Sequence, residues 1–402
     1  MKTKDAARIV GAETVRMLEL GHPWVVADAY TRKWPAGVSG QTVELCDGQG
    51  RFLATALLDP EERIIARILD RKRIQLDLAW LTGRLRSAIE LRRQHADLKD
   101  SNAYRLVNAE GDGLPGLTVD RYGDYLMLQL YSAAWRPHLK LVTQALQQLL
   151  APHGIYDKSR PQKTRELEAV SDSKNYGRLL AGKPAPQRLQ VRENGLDFIV
   201  SLEQGLNTGL FLDQRRNRRD LMERVKGKRV LNLFSYTGAF SVAAASAGAS
   251  VVTSVDASSG YTDWARENFT LNRINHKPHE FIVGDCLAVL GKFAQSGRRF
   301  DVVLMDPPSF STTARSRFTT KGGTSDLVAA ALPLLVDNGL LITSSNHQKV
   351  DVAEYLKELR RGALQAGSNL RVISQLGQPE DFPCPVTFPE GRYLKYVIGV
   401  KG

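Results

Sequence analysis

The hydrophobic pattern changes character near residue 228. Beyond it, short apolar runs at 230–234, 251–255, 280–283, 302–305 and 340–344 alternate with helix-like segments, among them 261–272 and 324–335. Runs that are apolar at nearly every position mark strands covered on both faces, and their alternation with helices predicts a doubly wound, mostly parallel sheet. Upstream, short strands and dense turns replace this rhythm. Residues 42–46 and 51–57 flank Asp47-Gly48-Gln49-Gly50, a hairpin turn, and 64–69 adds another strand. Residues 76–98 have a helical period and carry Arg84, Arg86, Arg92 and Arg93, which a solvated face accounts for. Strands at 104–109, 117–121 and 125–131 lead into an amphipathic helix at 137–150, with Leu139, Val142, Leu146 and Leu149 on one face. The polar stretch 158–186 reads as a surface excursion, and 188–202 as a hairpin around Glu193-Asn194-Gly195. The expected division is a β-rich module at 1–76, a central α+β domain with its preceding linker helix at 77–204, and an α/β domain at 205–402.

The first β-turn-α-β unit of that last domain, 229–256, organises the rest. A strand ending at Phe234 is broken by Ser235-Tyr236-Thr237-Gly238, an Ala-rich helix follows, and the next strand ends in Asp256. Gly238 and Asp256 lie 18 positions apart, close to the roughly 20 that place an acidic residue at the ribose of a bound adenosine. G-x-G-x-x-G is absent, however, and a pyrophosphate needs close backbone approach at several points. A cofactor with ribose and adenine but no phosphates fits, and S-adenosyl-L-methionine has that composition. The plain alternative is a βαβ unit that binds nothing. Thr237, Gly238, Asp256, Asp285 and Asp306 each fall just past a strand end, so a doubly wound sheet brings all five to one crevice. That convergence is more specific than any single motif.

Composition narrows the setting. With 402 residues, 43% of them hydrophobic, the chain has room for two or three domains with full cores. No apolar run of roughly 18 residues occurs, and Met1-Lys2-Thr3-Lys4 shows no signal-peptide pattern, so a cytoplasmic protein without membrane association is expected. Cys46, Cys286 and Cys384 stand far apart, form no C-x-x-C pair and are too few for a disulfide framework; no metal site is expected. The net charge of +12 is spread over the chain and favours a polyanionic partner, most simply nucleic acid. Trp24 and Trp34, near Arg32 and Lys33, suit either stacking on bases or plugging a small core. Between Arg215 and Arg229 eight Lys or Arg accompany two acids, a face that either lies in solvent or meets an anion.

Two rim segments suggest the chemistry. Gly284-Asp285-Cys286 follows the third strand, where a carboxylate can accept from an adenine amino group. Asp306-Pro307-Pro308-Ser309-Phe310 follows the fourth. Its prolines set the direction of the adjacent carbonyls, and Phe310 is placed to stack on a flipped-out base. Asp-Pro-Pro at this position signals methyl transfer to a planar nitrogen or ring, although alone it is an ordinary strand-ending turn.

Together with these segments, Asn207-Thr-Gly-Leu-Phe-Leu-Asp-Gln-Arg215, Asn232-Leu-Phe-Ser-Tyr-Thr-Gly238 and Phe388-Pro-Glu-Gly-Arg-Tyr-Leu-Lys395 resemble the large-subunit ribosomal RNA methyltransferase I family over nearly the whole chain. His22-Pro23-Trp24-Val25 resembles the entry to its PUA domain, and Gly113-Leu-Pro-Gly-Leu-Thr-Val-Asp120 its central domain. The resemblance implies a PUA-like RNA-binding module, the central α+β domain and a Rossmann-like catalytic domain, in that order. It implies a cofactor-binding set of Asp213, Gln214, Phe234, Ser235, Thr237, Gly238, Asp256, Asp285, Cys286 and Asp306. Within that set Asp213 and Gln214 lie near the methionine part, and Asp256 and Asp285 hold ribose and adenine. Asp306, Pro307, Pro308, Phe310 and Asn346 form the expected catalytic set. The partner implied is 23S ribosomal RNA or a large-subunit assembly intermediate, with a homodimer left open.

One departure outweighs the matches. Family members that methylate cytosine at C5 carry a cysteine in a Ser-Cys-Ser segment after the fifth catalytic-domain strand, and here Ser345-Asn346-His347 stands in its place. The Arg-x-Tyr-Lys pattern before the following helix is also absent, replaced by Gly322-Gly323-Thr324-Ser325. Carbon 5 of cytosine is a poor nucleophile until a thiolate adds at C6. Cys286 reads as a small buried residue on the adenine side, and Cys384 is a weak candidate for a relocated nucleophile. Guanine N7 has a free lone pair and avoids the difficulty; Asn346 could bond the base edge, or merely form a turn. The expectation is an S-adenosylmethionine-dependent methyltransferase of a 23S ribosomal RNA base, with guanine N7 ahead of cytosine C5. A catalytically silent RNA-binding or ribosome-assembly module is the alternative from another class.

Overall fold

The computed structural model describes residues 7–158, 175–308, 310–312 and 317–402, with backbone alone at 310–312 and 317–322. The chain forms two compact units. The first holds Met1–Leu189, Ser201–Thr208 and Glu380–Gly391; the second holds Gln190–Val200, Gly209–Pro379 and Arg392–Gly402.

The first unit contains two five-stranded sheets. One joins β1 (Arg8–Ile9), β2 (Trp24–Val26), β3 (Thr42–Cys46), β4 (Phe52–Leu58) and β5 (Ile64–Asp70) in the order β1-β3-β4-β5-β2, with helix α1 (Ala12–Glu19) between β1 and β2. After helix α2 (Leu78–His95) come β6 (Ala103–Asn108), β7 (Leu117–Tyr122), β8 (Tyr125–Leu130), β9 (Gly154–Lys158) and β10 (Gly177–Gly182), ordered β10-β9-β8-β7-β6. Within this second sheet, among the described residues, only β8 and β9 pair parallel, because α3 (Leu139–Leu150) carries the chain across between them. β10 lies inside the stretch read as a surface excursion. Its sequence, GRLLAG, lacks alternation and is bounded by glycines, so no period-2 signal marks it.

The face of α2 corrects another expectation. Leu81, Leu85, Ala88 and Arg92 form its buried stripe, which puts a guanidinium at a core position. Arg92 donates to both oxygens of Asp112 at 2.5 and 2.8 Å, and Arg84 donates to Asp70 at 2.6 Å. Both cations are paired, and Arg92 is buried as well. The indoles are also used internally: Trp24 Nε1 donates to Glu110 at 2.8 Å and its ring meets Phe388 edge-on at 4.6 Å, while Trp34 Nε1 donates to the carbonyl of Ile9 at 2.7 Å.

The second unit opens at Gln190, within the hairpin of β11 (Leu189–Glu193) and β12 (Leu196–Val200), and continues with α4 (Arg215–Met222). Strands β13 (Arg229–Leu233), β14 (Val251–Asp256), β15 (Glu280–Val283) and β16 (Phe300–Met305) alternate with α5 (Ala239–Ser246), α6 (Ser259–Leu271) and α7 (Cys286–Gln295). A small hairpin, β17 (Phe310–Thr312) and β18 (Arg317–Thr319), precedes α8 (Thr320–Ala331), β19 (Leu335–Ser345), α9 (Val352–Gln365), β20 (Leu370–Leu376) and β21 (Lys395–Lys401). The seven-stranded order is β15-β14-β13-β16-β19-β21-β20. The five strands read from the sequence are parallel, whereas β21 runs antiparallel between β19 and β20.

Alternation explains why those strands look apolar throughout. Leu231, Leu233, Val303 and Met305 pack against α7, α8 and α9 on one face, while Val230, Val302 and Leu304 pack against α4 and α5 on the other. Among the described residues no helix is long and apolar enough to cross a membrane.

Candidate active site

Strand register brings the expected residues to one edge. Leu233 pairs with Val255 and with Met305, and Met305 pairs with Thr343. The residues that follow, 234–238, Asp256, Asp306 and 344–346, therefore lie side by side at the ends of these strands. The N–H of Gly284 donates to the carbonyl of Asp256 at 2.9 Å, which adds Asp285 to the same rim. This is the carboxyl edge at which open α/β sheets bind ligands.

The first turn is held in an unusual conformation. Phe234, Tyr236 and Gly238 have φ of 57, 51 and 77°, and the two that are not glycine pay about 1 kcal/mol or more each. Hydrogen bonds offset this. Ser235 N–H donates to the Val255 carbonyl at 2.9 Å, Tyr236 N–H to Asp256 Oδ2 at 2.8 Å, and Gly238 N–H to the Ser235 carbonyl at 2.8 Å. Asp256 Oδ1 accepts from Ser258 N–H at 2.9 Å, so this carboxylate organises both flanking turns. Gly238 must be glycine twice over: its φ is left-handed, and a Cβ there would lie 2.7 Å from the Cβ of Ala265.

Thr237 is fully buried rather than turned to the crevice. Its hydroxyl donates to the Gly209 carbonyl at 2.6 Å, and its own carbonyl accepts from Asn268 Nδ2 at 2.9 Å. Asn268 Oδ1 also accepts from Ile199 N–H at 2.9 Å, fastening β12 to α6. Below the turn, Asn232 Nδ2 donates to Ser241 Oγ at 2.8 Å and Ser254 Oγ lies 2.7 Å from the same hydroxyl, a buried polar link between β13, β14 and α5. Thr237 is thus a staple of the turn after β13.

After β15, Asp285 caps α7 by accepting from Ala288 N–H at 3.0 Å. Cys286 is buried, and burial, reinforced by the carboxylates of Asp256 and Asp285, raises its thiol pKa to about 12. It is a neutral packing residue.

The opposite side holds a polar knot. Gln214 Nε2 donates to Asp306 Oδ2 at 3.0 Å and to Ser344 Oγ at 2.9 Å, and Gln214 Oε1 accepts from Asn217 Nδ2 at 2.6 Å. Burial, and after it the Asp213 carboxylate, raise the pKa of Asp306 to about 6 against the hydrogen bonds of Ser344 and Gln214. Tyr393 hydroxyl donates to Asp213 Oδ2 at 2.8 Å. Pro307 is buried and Pro308 exposed; the side chain of Phe310 lies outside what is described. Asn346 is exposed at the end of β19.

The basic run from Arg215 is less open than its charge suggests. Arg218, 2% exposed, donates to both oxygens of Glu193 at 2.6 and 2.8 Å and to the Phe211 carbonyl at 2.6 Å. Arg224 pairs with Asp220 at 2.7 Å, while Arg216 is exposed. An aromatic row beside the turn, Phe211 against Tyr236 at 5.4 Å and Tyr236 against Tyr261 at 4.4 Å, carried no signal in the sequence beyond its composition. Asn217 was equally silent, although an amide on the buried side of a helix is a sign of an internal partner.

The segment that ends β19, Ser345-Asn346-His347, contains no thiol. Cys286 opens α7 after β15, four strand spacings from β19 in the sheet order, or roughly 19 Å at about 4.8 Å each. Cys384, in the first unit, gives its hydrogen to the Phe388 carbonyl at 2.9 Å, and Cys46 is buried with a raised pKa.

The carboxylates of Asp213, Asp256, Asp285 and Asp306 suit a cofactor bearing sulfonium and ammonium charge and disfavour a pyrophosphate. Comparison with known proteins agrees. The family model of S-adenosylmethionine-dependent methyltransferases matches residues 105–390, and that of PUA-like domains matches 9–71. Ribosomal RNA large subunit methyltransferase I of Yersinia pseudotuberculosis (strain IP 31758) is 36% identical over 375 residues, which span 93% of this chain and 94% of that protein. A solved methyltransferase complexed with SAH (S-adenosylhomocysteine) is 28% identical with a TM-score of 0.88, over 98% of this chain and 99% of that one. An S-adenosylmethionine-dependent methyltransferase from Streptococcus mutans is also 28% identical, with a TM-score of 0.85 over the same shares. With strand order, rim carboxylates and full-length similarity in agreement, the chain belongs to the ribosomal RNA large subunit methyltransferase I family of S-adenosylmethionine-dependent methyltransferases.

Proposed function

We propose that this enzyme methylates a base of large-subunit, 23S, ribosomal RNA, and that the acceptor is a ring nitrogen, N7 of guanine. The relatives named for large-subunit ribosomal RNA, the PUA-like module at 9–71 and the net charge of +12 support the substrate class. The choice of atom rests on one observation: β19 ends in Ser345-Asn346-His347, with no thiol there. S-adenosyl-L-methionine, when bound, supplies an electrophilic methyl group on sulfonium sulfur.

Cytosine C5 needs a thiolate at C6 before it can attack, and the three cysteines are each otherwise engaged. Guanine N7 carries an in-plane lone pair and needs only in-line positioning. Attack there forms the N–CH3 bond as the C–S bond breaks, gives a cationic purine and releases no proton, so no general base is required. Asp306, beside the growing positive charge, offers electrostatic stabilisation. In this reading Asp213 and Gln214 hold the methionine end and Asp256 and Asp285 the ribose and adenine. Phe234, Ser235, Thr237, Gly238 and Cys286 shape their turns. Pro307, Pro308 and Phe310 form the platform for the base, and Asn346 bonds its edge.

Mass spectrometry of 23S RNA from a deletion strain and its parent tests the acceptor. Loss of one 7-methylguanine is expected, and loss of a 5-methylcytosine would overturn the N7 reading. With purified enzyme, Asn346→Ala is expected to lower kcat/KM on 23S RNA about tenfold or more, the scale of a lost positioning contact, while cofactor affinity stays. Unchanged methylation would remove Asn346 from the base contact. Failure of the native protein to bind S-adenosylmethionine by calorimetry would point instead to a silent assembly module.

A further inference from the structure

We infer that Lys395 is a positioning residue for the methyl acceptor, tying the turn after β19 to the cofactor-side carboxylates. Lys395 opens β21 in register with Ser345 and is 3% exposed. Its Nζ donates to the main-chain carbonyls of His347 at 2.6 Å and of Tyr393 at 2.7 Å. Among the described residues no carboxylate lies within ion-pair distance of it, and Asp351 acts only from farther away. Burial accordingly lowers its pKa to about 8.

An ammonium buried without a counter-charge costs the fold free energy, and an apolar side chain would occupy the place more cheaply. What the ammonium adds is a two-pronged link. It closes the Ser345–His347 turn onto the chain that enters β21, and the Tyr393 hydroxyl two residues earlier donates to Asp213 at 2.8 Å. Gln214, adjacent to Asp213, reaches back to Asp306 and Ser344. One run of hydrogen bonds therefore passes from His347 through Lys395, Tyr393 and Asp213, and a second from Gln214 to the last residues of β19. In-line transfer loses rate steeply when donor and acceptor are misplaced by an ångström, and this circuit sets the distance between the two halves of the crevice.

The inference rests on reading 344–347 as the acceptor side, and its test is independent of which atom receives the methyl group. Total transfer of labelled methyl to 23S RNA would be measured for the full-length protein and for Lys395→Met, Lys395→Gln and Lys395→Arg, with S-adenosylmethionine affinity by calorimetry and a thermal melt for each. The expected result is a kcat about 10- to 100-fold lower in Lys395→Met, with cofactor Kd within about twofold of the parent and partial recovery in Lys395→Arg. Lys395→Gln, which keeps an uncharged donating amide on a shorter side chain, gives the same reading where the Met variant does not fold. A parental rate in Lys395→Met, cofactor affinity falling in step with rate, or equal loss in Lys395→Arg would each overturn it. A 5-methylcytosine product with these kinetics would overturn the N7 reading and leave the Lys395 inference standing.

Discussion

At Asp306 opposing influences leave a carboxyl pKa of about 6, against 3.8 for an unperturbed aspartate. Because the folded pKa is the higher one, the folded state binds more protons between these values. The group's contribution to stability is therefore full below about pH 4 and lost as pH rises through about 6. At pH 7.5 the charged carboxylate costs the fold about 2 to 3 kcal/mol. Asp306→Asn keeps an acceptor for Gln214 and removes the charge. Its melting temperature should exceed the parent's at pH 7.5, with the advantage gone near pH 4; a difference independent of pH would show that Asp306 carries no such penalty. The position of this residue was legible in the sequence, because strand ends follow from periodicity. Its environment was not. Gln214 lies 92 positions from Asp306 and 130 from Ser344, and no local pattern pairs residues so far apart. The same holds for Thr237, whose place in the turn was readable while its engagement with Gly209 was not.

Among the elements, α4 shows how charge counting misleads. Eight basic residues between Arg215 and Arg229 suggest an anion-facing helix, yet Arg218 is sealed against Glu193 and braces the Phe211 carbonyl. Removing one partner of a buried ion pair strands the other charge. Arg218→Met should lower unfolding free energy by about 3 to 5 kcal/mol, read as a shift in the urea midpoint, and Glu193→Leu with Arg218→Met should recover most of it. Equal destabilisation in the single and double variants would mean that the carbonyl bond to Phe211, not the charge pair, matters. The parallel strands β13 to β16 and β19 were readable because burial on both faces leaves a continuous apolar run. β20 and β21 escaped the alternating strand–helix rhythm, since antiparallel neighbours need no helix between them. Register then did what no motif could, placing Lys395 opposite Ser345.

For the molecule as a whole, the net charge of +12 and the acidic cofactor rim make opposite demands on salt. Some cations are already spent: Arg84, Arg92, Arg93 and Arg218 are held by carboxylates, whereas Arg32, Lys33 and Arg86 are exposed. The sequence shows the excess of positive charge, and only the packing shows which charges remain to meet phosphate. Binding single-stranded RNA releases condensed counterions, so the affinity falls as the salt concentration raised to about −0.7 times the number of phosphates neutralised. With roughly six such contacts, affinity for a 23S fragment should drop about 300-fold between 50 and 200 mM salt. In the proposed site S-adenosylmethionine, which carries few charges, would meet carboxylates at short range, where screening is weak, so its affinity should change less than about threefold. Filter binding across a salt series, beside calorimetry of the cofactor in the same buffers, separates the two. A flat RNA response would mean that the exposed cations do not grip the backbone and that shape or base contacts carry recognition. A steep cofactor response would mean that the rim carboxylates act through long-range attraction and do not hold the cofactor by direct contact.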